Sequence, residues 1–108
     1  MALRGDRGVV VGGDYRQPLL TDGTAACTAD GGASWQPADA GGYRSAVVWL
    51  DDRQLLAVGP DGASRSVDGG RSWRAFGDAG FHSVAVARDG TVWACGSDGR
   101  VARLIVAE

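Results

Sequence analysis

Lysine and asparagine are absent from this 108-residue sequence, glutamate occurs once (Glu108) and histidine once (His82). Each absence removes something. With every one of the eleven basic residues an arginine and a net charge of -2, there is no basic stripe to neutralise phosphates, so nucleic acid is not an expected partner. Without asparagine there is no N-glycosylation sequon. Apolar runs are short: none approaches the roughly 20 residues that a membrane helix requires. Residues 1–7 lack the apolar stretch of a signal peptide, so no membrane partner is expected and the compartment is left open. With 44% hydrophobic and 22% charged residues, the composition is that of a folded chain.

What is present is a repeat. The segment Ser66-Val67-Asp68-Gly69-Gly70-Arg71-Ser72-Trp73 recurs 38 residues upstream as Thr28-Ala29-Asp30-Gly31-Gly32-Ala33-Ser34-Trp35. The same shift carries Tyr43-Arg44-Ser45-Ala46-Val47-Val48-Trp49 onto Phe81-His82-Ser83-Val84-Ala85-Val86-Ala87. Shifted by 37, Leu55-Leu56-Ala57-Val58-Gly59 falls on Val92-Trp93-Ala94-Cys95-Gly96, and Val9-Val10-Val11-Gly12 matches the end of that segment. Self-similarity at this period marks supersecondary units that bury their apolar faces only by stacking on a neighbour.

The middle unit has four short runs rich in β-branched, aromatic and apolar residues: 43–50, 54–59, 62–67 and 72–77. Between them stand Asp51-Asp52-Arg53, Pro60-Asp61-Gly62 and Asp68-Gly69-Gly70-Arg71, which are turn compositions. Four antiparallel strands per unit of this length is the pattern of a β-propeller blade. The first unit (about 8–38) shows runs at 8–12, 24–29 and 34–38, and the third (about 81–107) at 81–88, 91–96 and 100–107. The expected fold is therefore all-β, with about ten antiparallel strands. One complete four-stranded blade (43–77) is flanked by two partial ones, the first without its opening strand and the third without its closing strand. Propellers have roughly four to eight blades, so three units do not close a ring alone.

The Ser/Thr-x-Asp-Gly-Gly-x-Ser-Trp motif resembles the Asp-box, or BNR, signature, and the whole chain resembles Asp-box β-propeller proteins. Val11-Gly12-Gly13-Asp14-Tyr15, Gly42-Tyr43-Arg44-Ser45-Ala46-Val47 and Ala57-Val58-Gly59-Pro60-Asp61-Gly62 narrow it to the C-terminal blades of bacterial BNR-repeat proteins similar to a photosystem II assembly factor. The resemblance implies a hairpin clasp for Thr28, Asp30, Gly31, Gly32, Ser34 and Trp35, and again for Ser66, Asp68, Gly69, Gly70, Ser72 and Trp73. It also implies a six- or seven-bladed parent, but it does not imply a redox activity, because no cofactor motif accompanies it, and no cofactor is expected. Arg103-Leu104-Ile105-Val106 stands where a third box would be. In the family the missing strand comes from the other end of the chain, here absent or reduced to residues 1–7.

Catalytic constellations are sparse. Glycoside hydrolysis needs paired carboxyl groups or, in sialidases, a tyrosine with an acidic partner. Six of the twelve aspartates directly precede glycine, which is turn chemistry. His82 stands alone, and Cys27 and Cys95, in non-adjacent units, are expected to be free strand residues without a metal. All four tryptophans are expected in the core. One segment breaks the repeat: residues 13–21, inserted between the second and third strands of the first unit. Strand alternation puts this loop on the face opposite the boxes. Asp14, Tyr15, Arg16 and Arg44 are the candidate contacts there for a protein partner. The reading is a non-enzymatic binding or assembly scaffold, partnered by a protein, by further propeller blades or by a second copy through open strand edges. The alternative is part of a glycan-active propeller, hydrolase or lectin, with its catalytic residues outside this chain.

Overall fold

The computed structural model describes residues 1–13, 16 and 23–105. Among the described residues eleven strands make three antiparallel sheets in chain order. The first holds β1 (Ala2–Arg4), β2 (Arg7–Val11), β3 (Ala25–Thr28) and β4 (Gln36–Ala38). The middle sheet holds β5 (Ala46–Trp49), β6 (Leu55–Gly59), β7 (Gly62–Ser66) and β8 (Arg74–Gly77), and the third β9 (Ser83–Val86), β10 (Val92–Cys95) and β11 (Val101–Leu104). Within each sheet every strand pairs with the one before it in sequence, as short turns between antiparallel strands require.

The all-β expectation is met, and the strand count is corrected. Residues 2–4 form the opening strand of the first sheet, paired Ala2 to Val9 and Arg4 to Arg7, so that sheet has four strands rather than three. These residues pair with β2 and leave β11 alone, contrary to the expectation that residues 1–7 are the remnant of a strand for the third unit. Among the described residues the sheets form an open row, with β5 lying beside both β1 and β9.

Period-two alternation explains the stacking. Every residue of β6 is buried, because the middle sheet is covered on both sides. Leu55 and Ala57 meet Val9, Cys27 and Val47 in a cluster shared with the first sheet. Leu56 and Val58 meet Phe81, Val84, Val92 and Ala94 in a cluster shared with the third. Trp49 and Trp73 pack on the first of these clusters. Trp35 and Trp93, expected in the core, are 38% and 44% exposed. Each lies on a sheet face that no other sheet covers among the described residues.

Alternation also sorts the loops. The β1–β2, β5–β6 and β9–β10 turns share one end of the sheets with the two box segments. There the Gly31 N–H donates to the Asp6 carbonyl (2.8 Å) and the Gly69 N–H to the Arg53 carbonyl (2.9 Å). The β2–β3, β6–β7 and β10–β11 loops share the other end with the links between sheets.

Candidate functional site

The two boxes are built alike, atom for atom. In the first, Thr28 Oγ1 donates to Asp30 Oδ1 (2.8 Å) and accepts the Gly32 N–H (3.0 Å), while the Ser34 N–H donates to Asp30 Oδ1 (2.9 Å). Ser34 Oγ donates to Asp30 Oδ2, and Trp35 Nε1 to the Gly32 carbonyl (3.1 Å). In the second, Ser66 Oγ donates to Asp68 Oδ1 (2.8 Å) and accepts the Gly70 N–H (2.9 Å), and Ser72 serves Asp68 through both its N–H and its hydroxyl. Trp73 Nε1 closes the turn on the Gly70 carbonyl at 3.0 Å. The paired glycines are left-handed, with φ of 74° and 96° at Gly31 and Gly32.

Between the boxes lies a cleft of about 190 Å³ whose lining includes Arg7, Asp30, Ser34, Asp68 and Arg71. Two carboxyl groups in one cleft are the setting of glycoside hydrolysis, but that chemistry needs one of them raised so that it carries a proton near neutrality. Both are lowered here. Asp30 is held at about 2, against 3.8 for a free side chain, by the Ser34 hydroxyl, then the Ser34 N–H, then Thr28. At Asp68 burial pushes upward, and hydrogen bonds from Ser72 and Ser66 outweigh it, for a net lowering.

A pH dependence follows. A carboxyl group whose folded pKa is depressed contributes stability that is present above its unfolded value and is lost as pH falls through the folded one. Thermal unfolding should therefore lose stability on acidification from about pH 4 to about pH 2. The double variant Asp30→Asn/Asp68→Asn should show a shallower decline in circular-dichroism melts across that window. Parallel curves would show that the box carboxylates do not hold their hairpins by charge.

At the opposite end the structure relocates one candidate. Arg44, expected as an exposed contact, is 6% exposed. Its Nε donates to Ser64 Oγ (3.0 Å) and its Nη1 to the Tyr43 carbonyl (3.0 Å), while its backbone N–H donates to the Gly12 carbonyl (3.0 Å). Ser64 Oγ in turn donates to the Ala40 carbonyl, and the Ala40 N–H donates to Thr24 Oγ1 (2.9 Å). Burial lowers the pKa of the Arg44 guanidinium from its ordinary value, with the Asp61 carboxylate working against it. Arg44 thus ties the link between the first two sheets to the middle sheet. Arg16 is exposed, and Asp14 and Tyr15, with most of the inserted loop, lie outside the described residues.

The same end carries a group that sequence reasoning left apart. His82 Nε2 and Ser97 Oγ are 3.0 Å apart, and the His82 carbonyl accepts from Ser45 Oγ (2.9 Å). His82 and Ser97 join with Pro60, Gly80, Asp98 and Arg100 around an open cleft of about 480 Å³. Asp98 is left-handed (φ 60°) inside the one-turn 3-10 segment Ser97–Gly99, and the Arg100 guanidinium stacks 4.8 Å over the Phe81 ring. Fifteen positions separate His82 from Ser97, so only the pairing of β9 with β10 brings them together.

Cys27 is buried and Cys95 exposed, and both are free. Among the described residues no group of three histidine, cysteine or acidic side chains is arranged to hold a metal. Compared with family models, with curated proteins and with solved structures, the chain gives no match.

Proposed function

We propose that the three sheets are consecutive blades of an Asp-box β-propeller, and that the chain is a non-catalytic scaffold which binds a protein partner through the face opposite its boxes. Support comes from the box geometry, in which the same clasp closes the same hairpin in two successive sheets. It comes also from the row of opening strands, β5 beside β1 and β9, which is how blades are arranged around a propeller axis.

The observation that carries the binding role is the contrast between the two ends. At the box end Asp30 and Asp68, the hydroxyls of Ser34 and Ser72 and the indole N–H groups of Trp35 and Trp73 are engaged within their own hairpins. At the other end Asp98 and Arg100 stand exposed around the His82 cleft. An arginine stacked on an aromatic ring beside an open cleft is a residue type and setting that anchors protein interfaces.

The test is cross-linking mass spectrometry of the chain with its binding proteins, beside the double variant His82→Ala/Arg100→Ala. Capture should fall roughly tenfold, the loss of about 1.4 kcal/mol that one good interface contact supplies, while the melting temperature stays close to that of the parent. Undiminished capture by the variant, or hydrolysis of a glycan panel by the parent, would count against the proposal.

A further inference from the structure

Each sheet has a face towards the sheet before it in the chain, here called upstream, and one towards the sheet after it, called downstream. The downstream face of the first sheet, with Val9 and Cys27, packs on the upstream face of the middle sheet, with Val47, Leu55 and Ala57. The downstream face of the middle sheet, with Leu56 and Val58, packs on the upstream face of the third, with Val84, Val92 and Ala94. Among the described residues two faces have no partner: the downstream face of the third sheet and the upstream face of the first.

Both are shaped for the contact that the other junctions make. On the third sheet, register puts Ala85 beside Trp93, and Cys95 beside Val101. Trp93 stands three residues before Gly96, as Leu56 stands before Gly59 and Val9 before Gly12. Leu56 and Val9 are wholly buried by the following sheet, whereas Trp93 is 44% exposed. On the first sheet Leu3 and Val10 alternate away from the covered face, and Leu3 is 67% exposed.

The boxes give an independent indication. A Cβ at Gly70 would meet Val9 Cγ2 at 2.6 Å and Cys27 Cβ at 3.5 Å, because the preceding sheet presses against that glycine. At the equivalent Gly32 a Cβ would meet only the ring of Trp35 in its own hairpin. Trp73 is packed on the preceding sheet, and Trp35, at the equivalent place in the first sheet's hairpin, has none among the described residues to cover it. The first sheet therefore has a seat for a downstream face, and the one left free is on the third sheet.

We propose that two copies of this chain pack head to tail, the downstream face of the third sheet of each on the upstream face of the first sheet of the other, closing a ring of six sheets. The pairing of faces follows from the two junctions within the chain, and its closure into a ring rests on the propeller reading above. Trp93 lies against Trp35 and Leu3, and Arg103, in the row of Trp93, supplies a cation for the Trp35 ring as Arg7 does for Trp49 at 5.1 Å. Because each copy offers both faces, a two-fold head-to-tail pair satisfies both.

Light scattering after size exclusion, with sedimentation over a dilution series, tests this on the 108-residue chain. The expected species has twice the 11.1 kDa of one chain. Trp93→Glu and Leu3→Glu should each reduce it to monomer with the circular-dichroism spectrum retained. Mixing the two variants should restore part of the dimer, since one of its two interfaces then carries no substitution. Should Trp93→Glu lose its fold, Ala85→Glu blocks the same row at another exposed position. A monomer at every concentration, or a dimer indifferent to both substitutions, overturns the pairing and leaves the propeller reading standing. Oligomers that grow past two with concentration overturn the ring, and the propeller reading with it.

Discussion

Leu55→Ala and Leu56→Ala should each lower stability by about 3 kcal/mol, and they should open opposite sides of the molecule. Both side chains are wholly buried in the same strand, so the lost transfer energy and the cavity left behind are comparable. In a chain of this size such a loss lowers Tm by roughly 15 °C. The partners differ, because successive strand residues point to opposite faces. Leu55 belongs to the cluster with Val9, Cys27 and Val47, and Leu56 to that with Phe81, Val84, Val92 and Ala94. Amide hydrogen exchange should therefore show Leu55→Ala releasing protection in β2 and β3, and Leu56→Ala releasing it in β9 and β10. Identical patterns from the two variants would mean that the sheets unfold as one unit and that the two clusters are not separate junctions.

That partition was legible in the sequence as far as the forces behind it are local. The eight residues of each box contain their own hydrogen-bond partners, so the hairpins between β3 and β4 and between β7 and β8 could be placed from composition alone. The run Leu55-Leu56-Ala57-Val58 was legible as a strand, and the structure adds that it is buried on both faces. β1 was missed because three residues bury little by themselves. Its signal was the two-residue turn Gly5-Asp6 between the paired Arg4 and Arg7, with Gly5 at φ 62°.

Long-range placement was harder to read. An arginine next to Tyr43 in a glycine-rich link looks exposed, and the burial of Arg44 depends on Ser64, twenty positions away. The His82 and Ser97 contact likewise depends on sheet pairing. Trp93 was expected in the core from its strand position, yet it stands 44% exposed, because no period in the chain says which strand positions meet a neighbouring sheet.

Gly80→Ala should be as damaging as either leucine substitution, through excess volume instead of a cavity. A Cβ at Gly80 would overlap the Pro60 carbonyl oxygen, a backbone atom with no rotamer to move to, and would press on the Pro60 Cα at 3.3 Å. The approach is close because the link from β8 to β9 crosses the β6–β7 turn just where the Phe81 N–H donates to the Gly59 carbonyl at 2.8 Å. Relieving the overlap means moving one backbone segment away from the other, which lengthens that hydrogen bond and lifts Phe81 from its cluster. A loss of about 3 kcal/mol is expected, the upper end for an overpacked site. Gly77→Ala is the control: it ends β8 just before the same link, has nothing within 4 Å of the added carbon, and should change stability by no more than about 0.5 kcal/mol. Denaturant titration of both variants measures the difference. In the double variant Gly80→Ala/Leu56→Ala the combined loss should fall short of the sum, because both substitutions loosen the same junction and the second acts on packing already relaxed by the first. Full additivity would place Gly80 outside the junction between the middle and third sheets.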